Sequence, residues 1–251
     1  MRHWIFTLVS IFVFGFVSCS NNPQLRGEDS ILKAKYAVSI KDAAEASEDE
    51  VHRLLTIRSQ SDDVSWNIQK DKVLMVTMHR DSSDFKAGEM TLSRELWVVA
   101  DREILKWYRA NQEDVKDWTM RFKQLLGLPP ERQYGYFTAA WVYPKDMMRP
   151  AYSTDIQTSE MRISFEEETE IDLDESKKWF RDWFEKNRAK SYLENGYPWT
   201  RLGYTYDWAY AGTNKDKYGL TEFLVLPNSE VEILFTKDVK SFLKWMNDKN
   251  P

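Results

Sequence analysis

Residues 64–78, VSWNIQKDKVLMVTM, decide the reading of the fold. Val64 to Ile68 and Lys72 to Met78 are rich in the β-branched, aromatic and apolar residues that favour strands. The polar residues between them read as a tight turn, which makes the pair antiparallel. The second run is apolar on both faces, the pattern of a strand in the middle of a sheet rather than at its edge.

Working outward, ELWVVA (95–100) is another strong strand. It runs into Asp101, an N-cap for the helix REILKWYRA, whose Ile104, Leu105 and Tyr108 share one face. A further helix reaches about Leu126 and stops at Gly127, with Pro129 and Pro130 beyond. YGYFTAAWV (134–142) reads as a strand, 143–160 as irregular, and MRISFEEE (161–168) as an edge strand with a charged second half. Asp174 caps a helix to about Leu193, with Trp179, Phe180, Trp183 and Phe184 as its buried stripe. Short strands near 203–208, 219–225 and 231–235 follow, the last two joined by a hairpin turn at Pro227-Asn228-Ser229. Thr236 caps a final helix in which Val239, Phe242, Leu243 and Met246 repeat at helical spacing. Upstream, KDAAEASEDEVHRLLTI (41–57) reads as a helix. Hairpins and helices mix without strict alternation. The expectation is an α+β fold, a single domain over 31–251 with a largely antiparallel sheet packed by several amphipathic helices. A mixed α/β sandwich is the alternative.

The first residues have a different character. Arg2 and His3 precede an apolar stretch, Ile5 to Val17, too short to span a bilayer. Phe16-Val17-Ser18-Cys19 resembles a bacterial lipobox, departing from the usual pattern at Phe16, where leucine is customary. Cys19 is the only cysteine of the chain. The resemblance implies a lipoprotein signal peptide over 1–18, lipid on Cys19, and a flexible tether over 19–30. It also implies a membrane as partner, with the protein held in the cell envelope and facing the periplasm or exterior; Ser20 is compatible with outer-membrane sorting. A lipidated sulfur is a thioether and is lost to nucleophilic, redox or metal chemistry.

The chain is mildly acidic, with 35 Lys and Arg against 40 Asp and Glu, and shows no basic stripe for nucleic acid. Beyond the leader it has two histidines, His52 and His79. His52 reads as a solvated residue; His79 ends a buried strand, where catalytic groups occur but ordinary loop residues are commoner. No cofactor motif and no metal site is recognised. The acidic run 166–175 lacks the spacing of a calcium loop and reads as helix-start charge.

The densest feature is GYPWTRLGYTYDW (196–208). Trp199, Arg201, Tyr204, Tyr206, Asp207 and Trp208 are candidate ligand-binding residues: aromatic faces for sugar rings or a protein partner, with a charge pair to orient it. If 203–208 is a strand, Tyr204, Tyr206 and Trp208 share one face; core packing is the competing explanation. VLMVTM (73–78), LLGLPP (125–130) and PWTRLGYTYDW (198–208) resemble segments of uncharacterised bacterial exported proteins and lipoproteins. That resemblance, over about 64–225, implies export and a shared fold, and no catalytic residue. The expected role is a membrane-anchored binding module with a glycan or protein ligand. An envelope hydrolase using carboxylates such as Asp207 and Glu222, or a structural lipoprotein, are the alternatives.

Overall fold

The central run of the sequence becomes strand β1 (Val73–His79), which stands in the middle of an eight-stranded sheet. The computed structural model describes residues 23–59, 61–167, 174–213 and 215–249. In chain order, helix α1 (Pro23–Ala43) precedes β1, β2 (Gly88–Thr91) and β3 (Leu96–Ala100). Helices α2 (Asp101–Ala110) and α3 (Trp118–Leu125), then β4 (Tyr136–Val142) and β5 (Met147–Met148), come next. The chain finishes with α4 (Glu175–Ser191), β6 (Tyr204–Tyr206), β7 (Tyr218–Val225), β8 (Glu230–Asp238) and α5 (Val239–Asp248). The strand order is β2-β8-β4-β1-β3-β7-β5, with β6 also on β7, and every pairing is antiparallel. The fold is α+β. Among the described residues no helix is long and apolar enough to cross a membrane.

Side chains alternate along β1, so two cores form. Val73 and Met75 join Val98, Ala100, Ala140, Val142, Phe223 and Ile233 on one face. Leu74, Val76 and Met78 join Ile104, Leu105, Phe122, Phe137 and Phe242 from α2, α3, β4 and α5 on the other. The Phe137 and Phe242 rings stack at 4.1 Å. The two-sided burial of 73–78 is what its continuous apolarity requires.

The sheet is coiled. β7 and β8 follow one another but stand four places apart. In a flat sheet four spacings would separate them by about 19 Å, whereas the five steps from Val225 to Glu230 reach roughly 17 Å. Accumulated right-handed twist of about 20–25° per strand turns the two across each other and closes the first core inside the curl. Asn228, at φ 65°, makes the corner, and its N–H donates to the Leu92 carbonyl at 2.8 Å. The expected β7–β8 hairpin is therefore not formed: the Pro227-Asn228-Ser229 turn is real, but the strands it joins pair with others.

Other expectations change in detail. The helix expected over 41–57 lies earlier, ending at Ala43; beyond a short turn at Glu48–Glu50 the chain is extended through Ile57. Helix α1 begins at Pro23, inside the stretch expected as tether. The strand expected over 64–68 reduces to one bridge, Trp66 with Val73. Asp101 is the first helical residue rather than the cap. Residues 161–167 are irregular, not an edge strand. Asp238, not Thr236, caps α5, by accepting from the Ser241 N–H. Asp174 caps α4 as expected, and Phe180, Trp183 and Phe184 are buried while Trp179 is exposed.

Candidate functional site

The aromatic stretch 199–208 lies in the interior. Trp199, Arg201, Tyr204, Tyr206, Asp207 and Trp208 are all buried, so the surface expected there is not open to a ligand. Each side chain ties elements together. The Trp199 indole N–H donates to the Pro150 carbonyl, and its ring packs on Phe184 at 4.8 Å. Trp208 Nε1 donates to the carbonyls of Lys123 and Leu128, closing the end of α3. The Tyr204 hydroxyl donates to the Glu50 carbonyl and that of Tyr206 to Asp42. Arg201 donates to the carbonyls of Ala43 and Ala44, the C-terminal end of α1, where a cation is favoured. Arg201 and Asp207 do not pair; Asp207 takes Arg121 instead. The expected shared face also breaks up. Tyr204 enters the cluster of Leu54 and Met161, whereas Tyr206 and Trp208, the latter in a short helical turn, pack under α1. A strand three residues long and covered on both sides has no free face.

Glu222, the other carboxylate considered, is buried on β7 and its Oε1 has no hydrogen-bond partner. Burial pushes its carboxyl well above the ordinary range. It borders a small pocket of about 80 Å³ also lined by Val76, Trp97, Val99 and Leu126. Asp207 is likewise buried, against Arg121. Residues 168–173 of the acidic run, and Cys19, lie outside the described residues. Among the described residues no group of three or more His, Cys, Asp or Glu is placed to hold a metal ion.

His79 joins three strands. Its Nδ1 lies 3.0 Å from the Asp81 carbonyl and its Nε2 2.8 Å from Thr138 Oγ1, which is 2.6 Å from Thr236 Oγ1. A carbonyl only accepts, so Nδ1 carries a proton. Burial, the largest influence, lowers the pKa of His79 against the opposing pull of Asp81 and Asp84. A histidine less basic in the folded chain than unfolded stabilises the fold above the unfolded value of about 6.5, and this contribution fades as pH falls. Urea titrations should thus show stability declining below pH 6.5, with His79 supplying no more than about 1.4 kcal/mol per pH unit, the one-proton limit. A His79→Gln chain should lack that part of the slope.

A cleft of about 840 Å³ lies between the face of α2 that carries Arg102, Lys106 and Arg109 and the stretches 52–58 and 62–63. The helical residues recur at i, i+4 and i+7, which places them in one row along about 10 Å of helix. Arg53 and Arg58 stand on the opposite wall and Lys249 at one end, with Leu54, Leu55, Leu105, Ser65 and Glu103 also lining it. Six Lys or Arg line the cleft against three acids, Asp62, Asp63 and Glu103. Arg53, Arg58, Arg102, Lys106 and Arg109 are exposed. The wall is braced from below: buried Asp101 accepts from Ser65 N–H and Oγ at 3.0 and 2.6 Å and pairs with Lys249. Arg102 donates to the Asp62 carbonyl, fastening α2 to the opposite loop. His52 lies at the rim with its ring stacked on Tyr218 at 4.5 Å.

No family model, curated protein or solved structure matches this chain. The site therefore rests on its own geometry. Its chemistry is that of a receptor for negative charge: guanidinium groups present paired N–H donors to phosphate, sulfate or carboxylate oxygens. A partly apolar floor can seat the ligand's body. Sequence reasoning missed it because its members are spread from residue 53 to residue 249. The available signal was the Arg102, Lys106, Arg109 row, opposite the apolar face of the same helix.

Proposed function

We propose that this protein is a lipid-anchored protein of the cell envelope whose domain binds a polyanionic ligand in the cleft between α2 and the stretches 52–58 and 62–63. One observation carries the binding half of this reading: a chain of net charge −5 concentrates six cationic side chains against three acids around this one cleft. Such local reversal of sign focuses field into the cleft and raises both the capture rate and the affinity for anions. Support for the anchor comes from the lipobox-like Phe16-Val17-Ser18-Cys19 and the single cysteine. In this reading the ligand contacts are the cleft residues, not the buried stretch 199–208.

Titration with sucrose octasulfate, whose charge does not vary between pH 5 and 9, tests the binding. The unmodified chain should bind it with an affinity that falls steeply with added salt. The double variant Arg53→Glu, Lys106→Glu should weaken binding by about a hundred-fold, on the order of 1–2 kcal/mol per reversed charge, with an unchanged unfolding midpoint because both side chains are exposed. Equal binding by the variant would remove the cleft from consideration. For the anchor, mass spectrometry of the processed N-terminus should find acylated Cys19.

A further inference from the structure

A carboxyl sits on the floor of this cationic cleft. Glu103, in the first turn of α2, accepts hydrogen bonds from the Thr221 N–H at 3.0 Å and the Thr221 hydroxyl at 2.8 Å. The same hydroxyl oxygen accepts from the Leu55 N–H at 2.9 Å. Glu103 is thus fixed at once to β7 and to the far wall of the cleft, facing the space a ligand would fill. Resting on the anion-binding reading, we infer that a polyanion entering the cleft takes up a proton with it at Glu103, so that the ligand is gripped in acid and released as pH rises.

Withdrawal from water already lifts the Glu103 carboxyl to about 7, and Asp63 pushes the same way. The two bonds from Thr221 and the charge of Arg149 oppose them. A bound polyanion adds negative charge beside the carboxyl and shields it further from solvent, and both effects favour its neutral form. Whatever the ligand does to the proton, the proton does to the ligand, so protonated Glu103 binds the anion more tightly.

The extended segment supplies His52, Arg53 and Arg58, and the loop after it Asp62 and Asp63. Arg149 lies behind, buried, with its guanidinium held by the carbonyls of Leu55, Asp155 and Thr158. On its own helix Arg102, Lys106 and Arg109 share the cleft, and Lys249 is engaged with Asp101. Arginine and lysine heads keep their charge between pH 6 and 8. His52 also lines the cleft, so the experiment must separate it from Glu103.

Sucrose octasulfate serves again as the probe. If binding raises the proton affinity of Glu103 ten-fold from its value near 7, the unmodified chain binds roughly five-fold more tightly at pH 6 than at pH 8. Calorimetry in two buffers of different ionisation heat should then record uptake of about half a proton at pH 7.5. Glu103→Gln should flatten the pH profile at the tight level, while His52→Gln should keep the slope. Binding that is flat with pH in the unmodified chain, uptake of no proton, a slope unchanged in Glu103→Gln, or a slope lost in His52→Gln would each overturn the coupling. If the probe fails to bind at either pH, the anion-binding reading itself falls; if it binds without a pH slope, only the coupling does. The proton count on the unmodified chain needs no variant to fold.

Discussion

Replacing Asp207 with alanine is expected to destabilise the domain by about 3–5 kcal/mol, enough to consume most of the margin of an ordinary fold. Arg121 reaches Asp207 with both terminal nitrogens, at 2.9 and 2.6 Å, and neither side chain is appreciably exposed. The guanidinium also lies over the Trp107 ring at 4.6 Å. Without the carboxylate an unpaired cation stays in the interior, and the Ala209 N–H loses its acceptor as well. Urea unfolding followed by tryptophan fluorescence measures the loss. Burial pushes the Asp207 carboxyl up in spite of Arg121, so the pair stabilises less than its geometry suggests. A double replacement, Arg121→Met with Asp207→Leu, should accordingly recover most of the deficit, because it leaves no stranded charge. A single Asp207→Ala change that costs under 1 kcal/mol would contradict this account.

The opposite sign is expected at Glu222. Changing it to glutamine should stabilise the protein by about 2 kcal/mol at pH 7 and make little difference at pH 4. The carboxyl is more protonated in the folded chain than in the unfolded one. Its contribution is therefore intact below the ordinary value of 4.5 and declines as pH rises above it. The penalty grows by about 1.4 kcal/mol per pH unit until the folded group ionises. Glutamine has nearly the same shape and cannot ionise, though its amide N–H groups need partners beside an Oε1 position that has none. Paired unfolding curves at pH 4 and pH 7 decide the matter: a gain of equal size at both would mean that packing, not the proton, is responsible.

Much of the architecture was legible because periodicity survives folding. The unbroken apolarity of 73–78 placed β1 in the sheet's centre, and Gly127, at φ 67°, ends α3 as its position before two prolines suggested. The failures have physical causes. Pro227-Asn228-Ser229 makes the local turn it promised, but local chemistry is blind to a coiled sheet that sends the next strand elsewhere. The segment 51–57 has helical spacing in Val51, Leu54 and Leu55, yet is extended because Leu54, Leu55 and Ile57 each find a place against the sheet's loops and core. Alternation cannot report a strand covered on both sides, which is why Tyr204, Tyr206 and Trp208 looked like an open face. The cleft was invisible for another reason: long-range pairing alone brings Arg53, Lys106 and Lys249 together.

The position of β8 has a consequence for the birth of the molecule. Its residues 230–233 are the partners of β2, and 231–238 those of β4. A nascent chain therefore cannot complete its sheet until residues 230–238 have emerged, and such distant pairing is slow to form. Until β8 arrives, β2 has no partner and β4 keeps one open edge, and exposed edges of this kind are where chains associate wrongly.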